Sequence, residues 1–187
     1  LERIDEWSNI INNENKKILD LGAGTGAKTV LLRKFLKIKL ENTYCLDLDN
    51  SNFKINQIKN ACQFNFYKGD KFPFDSDMFD LITIFLVIHH VPKITEFILE
   101  IKKGLKKDGL LIIREHDINK EEEKNNMILL HLLYYLKNKI SYDKIEISIY
   151  RSAKKIINLF EENGFKLLKM SHASNFTRSR YFVFQLK

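Results

Sequence analysis

The sequence predicts an α/β protein with a doubly wound, mostly parallel seven-stranded sheet whose last strand runs antiparallel. Apolar segments alternate with segments of helical spacing five times, which is typical of layered α/β folds. Residues 79–86 are apolar nearly throughout, as in a parallel strand buried on both faces. Only the ten residues 171–180 separate the last two strand-like segments. Because a helical crossover needs about a dozen residues or more, these two strands should pair antiparallel.

The individual elements follow from local periodicity and turn residues. Short apolar runs predict strands at 17–21, 44–48, 64–67, 79–86, 110–114, 165–170 and 181–186. Apolar residues at helical spacing predict helices at 1–11, 28–36, 51–60, 94–105, 121–138 and 152–163. A turn is expected at 106–109, and Gly164 is placed to end the last helix.

Length and composition predict one domain. The 187 residues are 44% apolar and 29% charged, which is ordinary for a globular protein. We expect a single domain over 1–187 with a helical insertion at about 117–150. No apolar run approaches the roughly 20 residues of a membrane span, so no membrane association is expected. The chain begins with Leu1 rather than Met, which is typical of a trimmed or processed chain, or of part of a longer chain or larger assembly.

The two cysteines carry no recognisable pattern. Cys45 and Cys62 form neither a metal-ligand spacing nor a disulfide framework. Their spacing predicts a protein of the reducing cytoplasm without a metal site.

The net charge of +7 admits two interpretations. A basic chain can bind an anionic partner such as nucleic acid. However, 25 of the 31 basic residues are Lys and only six are Arg, the usual residue for bidentate phosphate recognition. Together with abundant Asn and Ile, this excess of Lys is equally typical of an AT-rich genome.

The segment 18–26, Ile-Leu-Asp-Leu-Gly-Ala-Gly-Thr-Gly, is the most informative stretch. A strand runs into a glycine turn that opens a helix, which lets backbone amides approach a polar ligand closely. Gly22, Gly24 and Ala27 also fit a dinucleotide-binding fingerprint, and a turn that needs glycine only for its geometry is a further alternative.

Two carboxylates favour S-adenosylmethionine as the ligand. Asp20 lies two residues before the first glycine, and its side chain is expected to point into the pocket rather than the sheet. A carboxylate there would oppose a pyrophosphate but suit a cationic amino acid sulfonium. Asp47 follows the glycines by roughly twenty residues, where a carboxylate can bind both ribose hydroxyls. Because NAD enzymes use a carboxylate in the same way, Asp47 supports an adenosine ligand in general. The terminal antiparallel strand pair also favours S-adenosylmethionine over a dinucleotide, because such a pair is unusual in a dinucleotide-binding domain.

Further segments carry a resemblance to a known family. In order, these are Asp20–Gly26, Asp47, Gly69-Asp70 with 72–74 and 78–82, 86–91, and 105–112. They resemble the motifs of class I S-adenosylmethionine-dependent methyltransferases, within them the type-11-like group that includes quinone and small-molecule methyltransferases. The resemblance covers 16–115 well and 150–187 in outline, and it implies a Rossmann-like methyltransferase fold.

The resemblance also implies roles for single residues. The glycine turn would hold the methionine part, with Asp20 on its ammonium group directly or through water. Asp47 would bind ribose and Asp70 adenine, the latter with the backbone of Lys71. Phe85 and Leu86 would line the pocket beside the sulfonium. The expected cofactor-binding residues are therefore Asp20, Gly22, Ala23, Gly24, Asp47, Leu48, Asp70, Lys71, Phe85 and Leu86. Asp80, at a strand start, is expected to brace the structure instead.

Candidates for acceptor chemistry follow the fifth strand. The segment 114–117, Arg-Glu-His-Asp, is either a polar exit loop or an acceptor-binding or base cluster, with Glu115 and His116 as the catalytic candidates. His89 and His90 are expected to be packing residues. The Leu and Tyr residues of 129–135 are expected to form core or, alternatively, a lid or acceptor wall.

These expectations combine into an S-adenosylmethionine-dependent methyltransferase that acts on an unidentified small-molecule or RNA acceptor. Methyl transfer needs little side-chain chemistry because positioning supplies much of the rate, so a weak catalytic motif is no objection. The alternatives are an RNA (cap, tRNA or rRNA) methyltransferase, for which Arg178 and Arg180 would provide contacts, and a methyltransferase-like binding subunit of a larger assembly. A dinucleotide oxidoreductase is a further alternative.

Overall fold

The sheet of this computed structural model has seven strands. The structure describes residues 16–48, 61–67, 71–137, 139, 148–172 and 178–187. The strands are β1 (Ile18–Leu21), β2 (Thr43–Asp47), β3 (Gln63–Phe66), β4 (Phe79–Phe85), β5 (Leu105–His116), β6 (Phe165–Met170) and β7 (Ser179–Leu186). The helices predicted at 1–11 and 51–60 lie outside the described residues, as does Asp70.

The strand order is β3-β2-β1-β4-β5-β7-β6. Strands β1 to β5 pair in parallel, whereas β7 lies between β5 and β6 and runs antiparallel to both. The predicted doubly wound sheet with an antiparallel last strand is therefore confirmed. The order reverses between β1 and β4, and ligands of open α/β sheets bind at such a switch point, beyond the carboxyl ends of the strands.

Helices cover both faces of the sheet. They are α1 (Ala27–Phe35), α2 (Ile94–Gly104), α3 (Glu121–Lys137) and α4 (Ala153–Glu162). Because side chains alternate along a strand, Leu19 and Leu21 pack in the core with α2 and α4, whereas Ile18 packs on the other face with α1.

Strand β5 is longer than the sequence predicts. It begins at Leu105, opposite Phe79, so residues 106–109 belong to an irregular start of the strand rather than to a separate turn. It ends at His116, opposite Ser179 of β7. The long antiparallel partner extends β5 beyond the predicted end at residue 114.

Helix α3 is largely exposed. Its apolar residues are exposed at Leu129, Leu130, Leu132, Leu133, Tyr134 and Leu136. The expectation that this face forms core is therefore wrong. The alternative role, a lid or acceptor wall, stays a prediction. No helix among the described residues combines the length and apolar character needed to cross a membrane.

Cys45 and Cys62 form a disulfide, which corrects the expectation from their spacing. Their Cα atoms lie 5.8 Å apart although 17 positions separate them. They meet because β2 and β3 are neighbouring parallel strands, and sequence spacing alone does not reveal this pairing. The disulfide removes the cysteine argument for a reducing compartment, so the cytoplasmic location stays a prediction.

Candidate functional site

The glycine turn between β1 and α1 brings backbone to the carboxyl edge of the sheet. Gly22 has φ +67° and Gly24 has φ +56°, in the left-handed region that favours glycine. A Cβ on Gly22 would lie 2.3 Å from Cγ2 of Val87, so glycine is needed there for packing. A Cβ on Gly24 would meet nothing within 4 Å, so its backbone faces open space that a ligand can enter.

Asp47 joins this turn to the end of β2. Its Oδ2 accepts a hydrogen bond from the Gly24 amide at 3.0 Å, and its Oδ1 accepts one from the Leu48 amide at 2.8 Å. The carboxylate predicted to bind ribose therefore lies directly beside the glycine turn.

A cavity of about 290 Å³ opens beside the turn. Gly22, Asp47 and Leu48 line it, together with Tyr67, Val87 and His90. Its size is near the lower end of the range for small-molecule sites, and its walls are mostly apolar with few polar groups. Three of the predicted cofactor-binding residues thus share one cavity.

Asp20 does not line this cavity, which corrects the expectation that its side chain points into the pocket. Its carboxylate is buried on the α1 face and accepts hydrogen bonds from the hydroxyls of Thr29, at 2.5 Å, and Thr83, at 2.7 Å. Burial raises the pKa of Asp20 despite these two donors. The contact with an ammonium group, direct or through water, stays a prediction.

The remaining predicted cofactor residues are not among those that line the cavity. Phe85 packs edge-on against Tyr181, with ring centroids 6.3 Å apart. Leu86 adopts φ +62°, and its amide donates to the Arg114 carbonyl at 2.8 Å. Ala23 is buried and Lys71 is exposed. Their contacts with a cofactor stay predictions.

A second group of residues, here called the histidine cluster, adjoins the cavity. It consists of His89, His90, Glu115, His116, His131 and Tyr150. Four segments contribute: the 3₁₀ turn Ile88–His90 after β4, the end of β5, helix α3, and the residues before α4. Because His90 also lines the cavity, the cluster and the candidate cofactor site are continuous.

The centre of the histidine cluster is a buried His–Glu pair. His89 and Glu115 are each 2% exposed, and Nδ1 of His89 lies 2.7 Å from Oε1 of Glu115. The same oxygen accepts from the His116 amide at 2.7 Å. Burial disfavours the charged carboxylate, but the hydrogen bond and charge of His89 outweigh it and hold the pKa of Glu115 below its ordinary value.

The other nitrogen of His89, Nε2, is buried and has no hydrogen-bond partner among the described residues. A buried polar atom in this state costs free energy unless a ligand engages it. The imidazole therefore presents a lone pair to the interior of the histidine cluster when Nδ1 carries the proton.

Helix α3 and the residues before α4 close the cluster. Nδ1 of His131 lies 3.0 Å from the Tyr150 hydroxyl and 3.1 Å from the Ser148 hydroxyl. Burial lowers the pKa of His131 to about 4, and burial likewise lowers the pKa of His90 to about 4. Both rings are therefore neutral near pH 7, and the neutral imidazole is the form that ligates a metal.

The structure corrects the exit-loop interpretation of 114–117. Glu115, His116 and Asp117 are at most 5% exposed, so they do not form a solvated loop. The β5–β7 pairing carries them into the molecule. Sequence reasoning missed His131 and Tyr150 as cluster members, and the one available signal was a single His within the Leu- and Tyr-rich helix.

Both arginines expected to contact RNA are engaged within the chain. Arg178 pairs with Glu123 at 3.0 Å. Arg180 donates from Nε to Asp117 at 2.5 Å and from Nη1 to the Ser171 carbonyl at 3.1 Å. These contacts do not favour the RNA alternative.

The chain is similar in sequence to known proteins. The model of the methyltransferase domain family matches residues 2–170. A carboxy-S-adenosyl-L-methionine synthase of Nautilia profundicola is 28% identical over 158 residues, 81% of this chain and 65% of the relative. A ubiquinone/menaquinone biosynthesis C-methyltransferase UbiE of Rickettsia felis is 32% identical over 127 residues, 63% of this chain and 51% of the relative. The chain thus spans less than two thirds of the length of either curated relative.

A solved structure shows the same fold. The crystal structure of a SAM dependent methyltransferase from Aquifex aeolicus superimposes with a TM-score of 0.67 at 16% identity, covering 97% of this chain and 87% of the other. The family match extends over nearly the whole sheet and both candidate regions. The chain therefore belongs to the methyltransferase domain family, within the class I S-adenosylmethionine-dependent methyltransferases, as its sequence predicts.

Proposed function

We propose that this chain is an S-adenosylmethionine-dependent methyltransferase that binds its cofactor beside the glycine turn and a small-molecule acceptor beside the histidine cluster. One observation carries the proposal. Asp47 bonds to the Gly24 amide at the edge of a mostly apolar cavity, where the Gly24 backbone faces open space.

The residues present fit this cofactor. Asp47 supplies a carboxylate for ribose hydroxyls, and Gly24 leaves room for the amino acid part. Leu48 and Tyr67 provide apolar surface for a base. When bound, S-adenosylmethionine supplies an activated methyl group, because the electron pair of the broken carbon–sulfur bond stays on a sulfur that becomes neutral. The chain has to hold the acceptor in line, exclude water and accept a proton where the acceptor loses one.

The histidine cluster suits this last task. His90 links it to the cavity, and its His89–Glu115 pair is an imidazole held by a carboxylate, the arrangement of a general base. Glu115 acts through His89 and is therefore a positioning residue, while His116 remains a catalytic candidate.

A small-molecule acceptor is supported by the ion pairs of Arg178 and Arg180, which engage the two arginines expected to contact RNA. A partner protein that completes a larger assembly is compatible with the exposed apolar residues of α3. We propose no such partner, because nothing among the described residues identifies one.

Calorimetric titration with S-adenosylhomocysteine, with NADH as the matched control, tests the cofactor. We expect a dissociation constant in the micromolar range or below, a higher melting temperature with this ligand, and no binding of NADH. Transfer of labelled methyl from S-adenosylmethionine, first to pooled metabolites and then to RNA, tests the acceptor. Binding of NADH alone would overturn the cofactor assignment, and labelling of RNA alone would overturn the small-molecule acceptor.

A further inference from the structure

We propose that the histidine cluster binds a divalent transition-metal ion, zinc foremost, through His89, His90 and His131. One side-chain nitrogen from each of the three lies within 4.8 Å of the others. Tetrahedral zinc with bonds of about 2.0–2.1 Å needs nitrogens about 3.3 Å apart. Binding would therefore draw the three nitrogens at most about 1.5 Å closer together than they lie here. The spacing of Cys45 and Cys62 predicted that the chain has no metal site. The site proposed here consists of histidines alone and so could not be detected from the cysteines.

The His89–Glu115 pair has the arrangement found around metal-bound histidines. In such sites one ring nitrogen donates to a carboxylate, which fixes the tautomer and directs the other nitrogen at the metal. Here Nδ1 bonds to Glu115 at 2.7 Å. Nε2 is the buried atom that lacks a hydrogen-bond partner among the described residues. A metal ion would satisfy this atom.

Glu115 orients His89 rather than serving as a ligand. Its Oε1 is already engaged by His89 and by the His116 amide, and its Oε2 lies 3.3 Å from the His89 amide. A second possible ligand set, His89 with Glu115 and His116, would break these contacts. His131 needs no such change, because Ser148 and Tyr150 already orient its ring through Nδ1.

The ligand chemistry selects the metal. Three imidazoles suit zinc and its neighbours in the first transition row, whereas magnesium and calcium prefer oxygen ligands. Three protein ligands also leave a coordination position open, which is typical of catalytic rather than structural zinc sites. His90 lines the cavity proposed for the cofactor, so an ion bound here would lie beside that cavity, where the acceptor must approach the methyl group. Resting on the proposed function, this defines the acceptor class as a small molecule with an oxygen or sulfur atom that can coordinate zinc.

Metal binding is tested on the tag-free full chain. After removal of metal with a chelator, Zn²⁺ is titrated by calorimetry and bound zinc is counted by elemental analysis. Co²⁺ serves as a spectroscopic probe, since tetrahedral coordination gives intense visible absorption. We expect one ion per chain. His131→Ala should weaken Zn²⁺ binding at least 100-fold, and Glu115→Gln should weaken it roughly 10- to 100-fold.

Two controls distinguish zinc bound by these three histidines from zinc bound elsewhere on the chain. His172→Ala changes an exposed histidine outside the cluster and should leave Zn²⁺ binding unchanged. Circular dichroism confirms that each variant is folded. Because His131 lies on the largely exposed α3, its substitution should leave the fold intact. If folded His131→Ala binds Zn²⁺ like the wild type, or if His116→Ala alone abolishes binding, the proposed ligand set is wrong.

The same samples are titrated with S-adenosylhomocysteine, so the two proposals fail separately. Binding of S-adenosylhomocysteine without stoichiometric Zn²⁺ overturns the metal site and leaves the proposed function in place. Stoichiometric Zn²⁺ binding without S-adenosylhomocysteine binding overturns the proposed function and supports the metal site.

Discussion

The two sides of the crevice at the carboxyl edge of the sheet are built differently. On the β1–β2 side, backbone amides and one carboxylate, Asp47, surround open space. On the β4–β5 side, titratable side chains are buried against one another around His89 and Glu115. The first arrangement suits a ligand whose shape and hydroxyl groups must be recognised. The second suits a reaction in which a proton or a metal ion must be held.

The two sides also differ in how far apart their residues lie in sequence. The glycine turn is one continuous segment, to which Asp47 is added by the neighbouring strand. The histidine cluster takes residues from 89 to 150, on four separate segments. A substitution in the turn should therefore act locally, whereas one in the histidine cluster should act through its neighbours. Four predictions test this difference.

The largest effect should come from Gly22. In Gly22→Ala the new methyl group would lie 2.3 Å from Val87, so we expect a loss of roughly 2–4 kcal/mol of unfolding free energy from overpacking and left-handed strain. Gly24→Ala is the matched control, because it meets no neighbour and should lose only about 1–2 kcal/mol from strain. Its methyl group would nevertheless enter the ligand space and weaken S-adenosylhomocysteine binding. Denaturant unfolding and calorimetry measure the two quantities, and equal stability of both variants would contradict the packing argument.

Glu115→Gln should impair turnover without impairing cofactor binding. We expect turnover to fall by roughly 10- to 100-fold, because a neutral amide no longer holds His89 in the required tautomer. Affinity for S-adenosylhomocysteine should stay within about 2-fold, a small free-energy change. The pH–rate profile should shift as well, which a purely structural role would not cause. Glu162→Gln, on the exposed end of α4, is the control. An unchanged pH–rate profile in Glu115→Gln would show that the His89–Glu115 pair takes no part in the reaction.

Asp47→Ala should weaken S-adenosylhomocysteine binding by roughly 10-fold or more, since a hydrogen bond to a carboxylate contributes about 1.5–3 kcal/mol. Asp80→Ala should affect stability rather than cofactor affinity. Asp80 accepts from the Lys17 amide and from Nζ of Lys106, both at 2.9 Å, so its loss should lower stability and leave affinity unchanged. Calorimetry and thermal unfolding of both variants separate the two roles. If Asp47→Ala and the wild type bind S-adenosylhomocysteine with equal affinity, a residue other than Asp47 contacts the ribose.

The smallest effect should be that of salt. If the acceptor is a small molecule, turnover should change little with salt, because few counterions are displaced on binding. Arg178→Ala should leave that dependence unchanged, since its guanidinium already pairs with Glu123. A steep decrease in activity with salt that Arg178→Ala reduces would indicate a phosphate-rich acceptor.

Local signals in the sequence determined the sheet and the glycine turn. The strand at Phe79–Phe85 was predictable because a parallel strand buried on both faces is mostly apolar. The turn at Gly22 and Gly24 was predictable because a positive φ and close backbone approach both favour glycine. Asp47 was predictable because it ends the strand next to that turn. The antiparallel last strand followed from the shortness of one connection.

Only the tertiary structure decided the rest. Strand pairing joined Cys45 to Cys62 and carried Glu115 into the interior. Packing of α3 brought His131 to His89, 42 positions away, with ring centroids 5.3 Å apart. Asp20 bonds to Thr29 rather than lining the cavity, because alternation along β1 puts its side chain on the α1 face. Periodicity and turn chemistry depend on neighbours a few residues apart and can be read from the sequence, whereas a cluster built from distant segments depends on how those segments pack together.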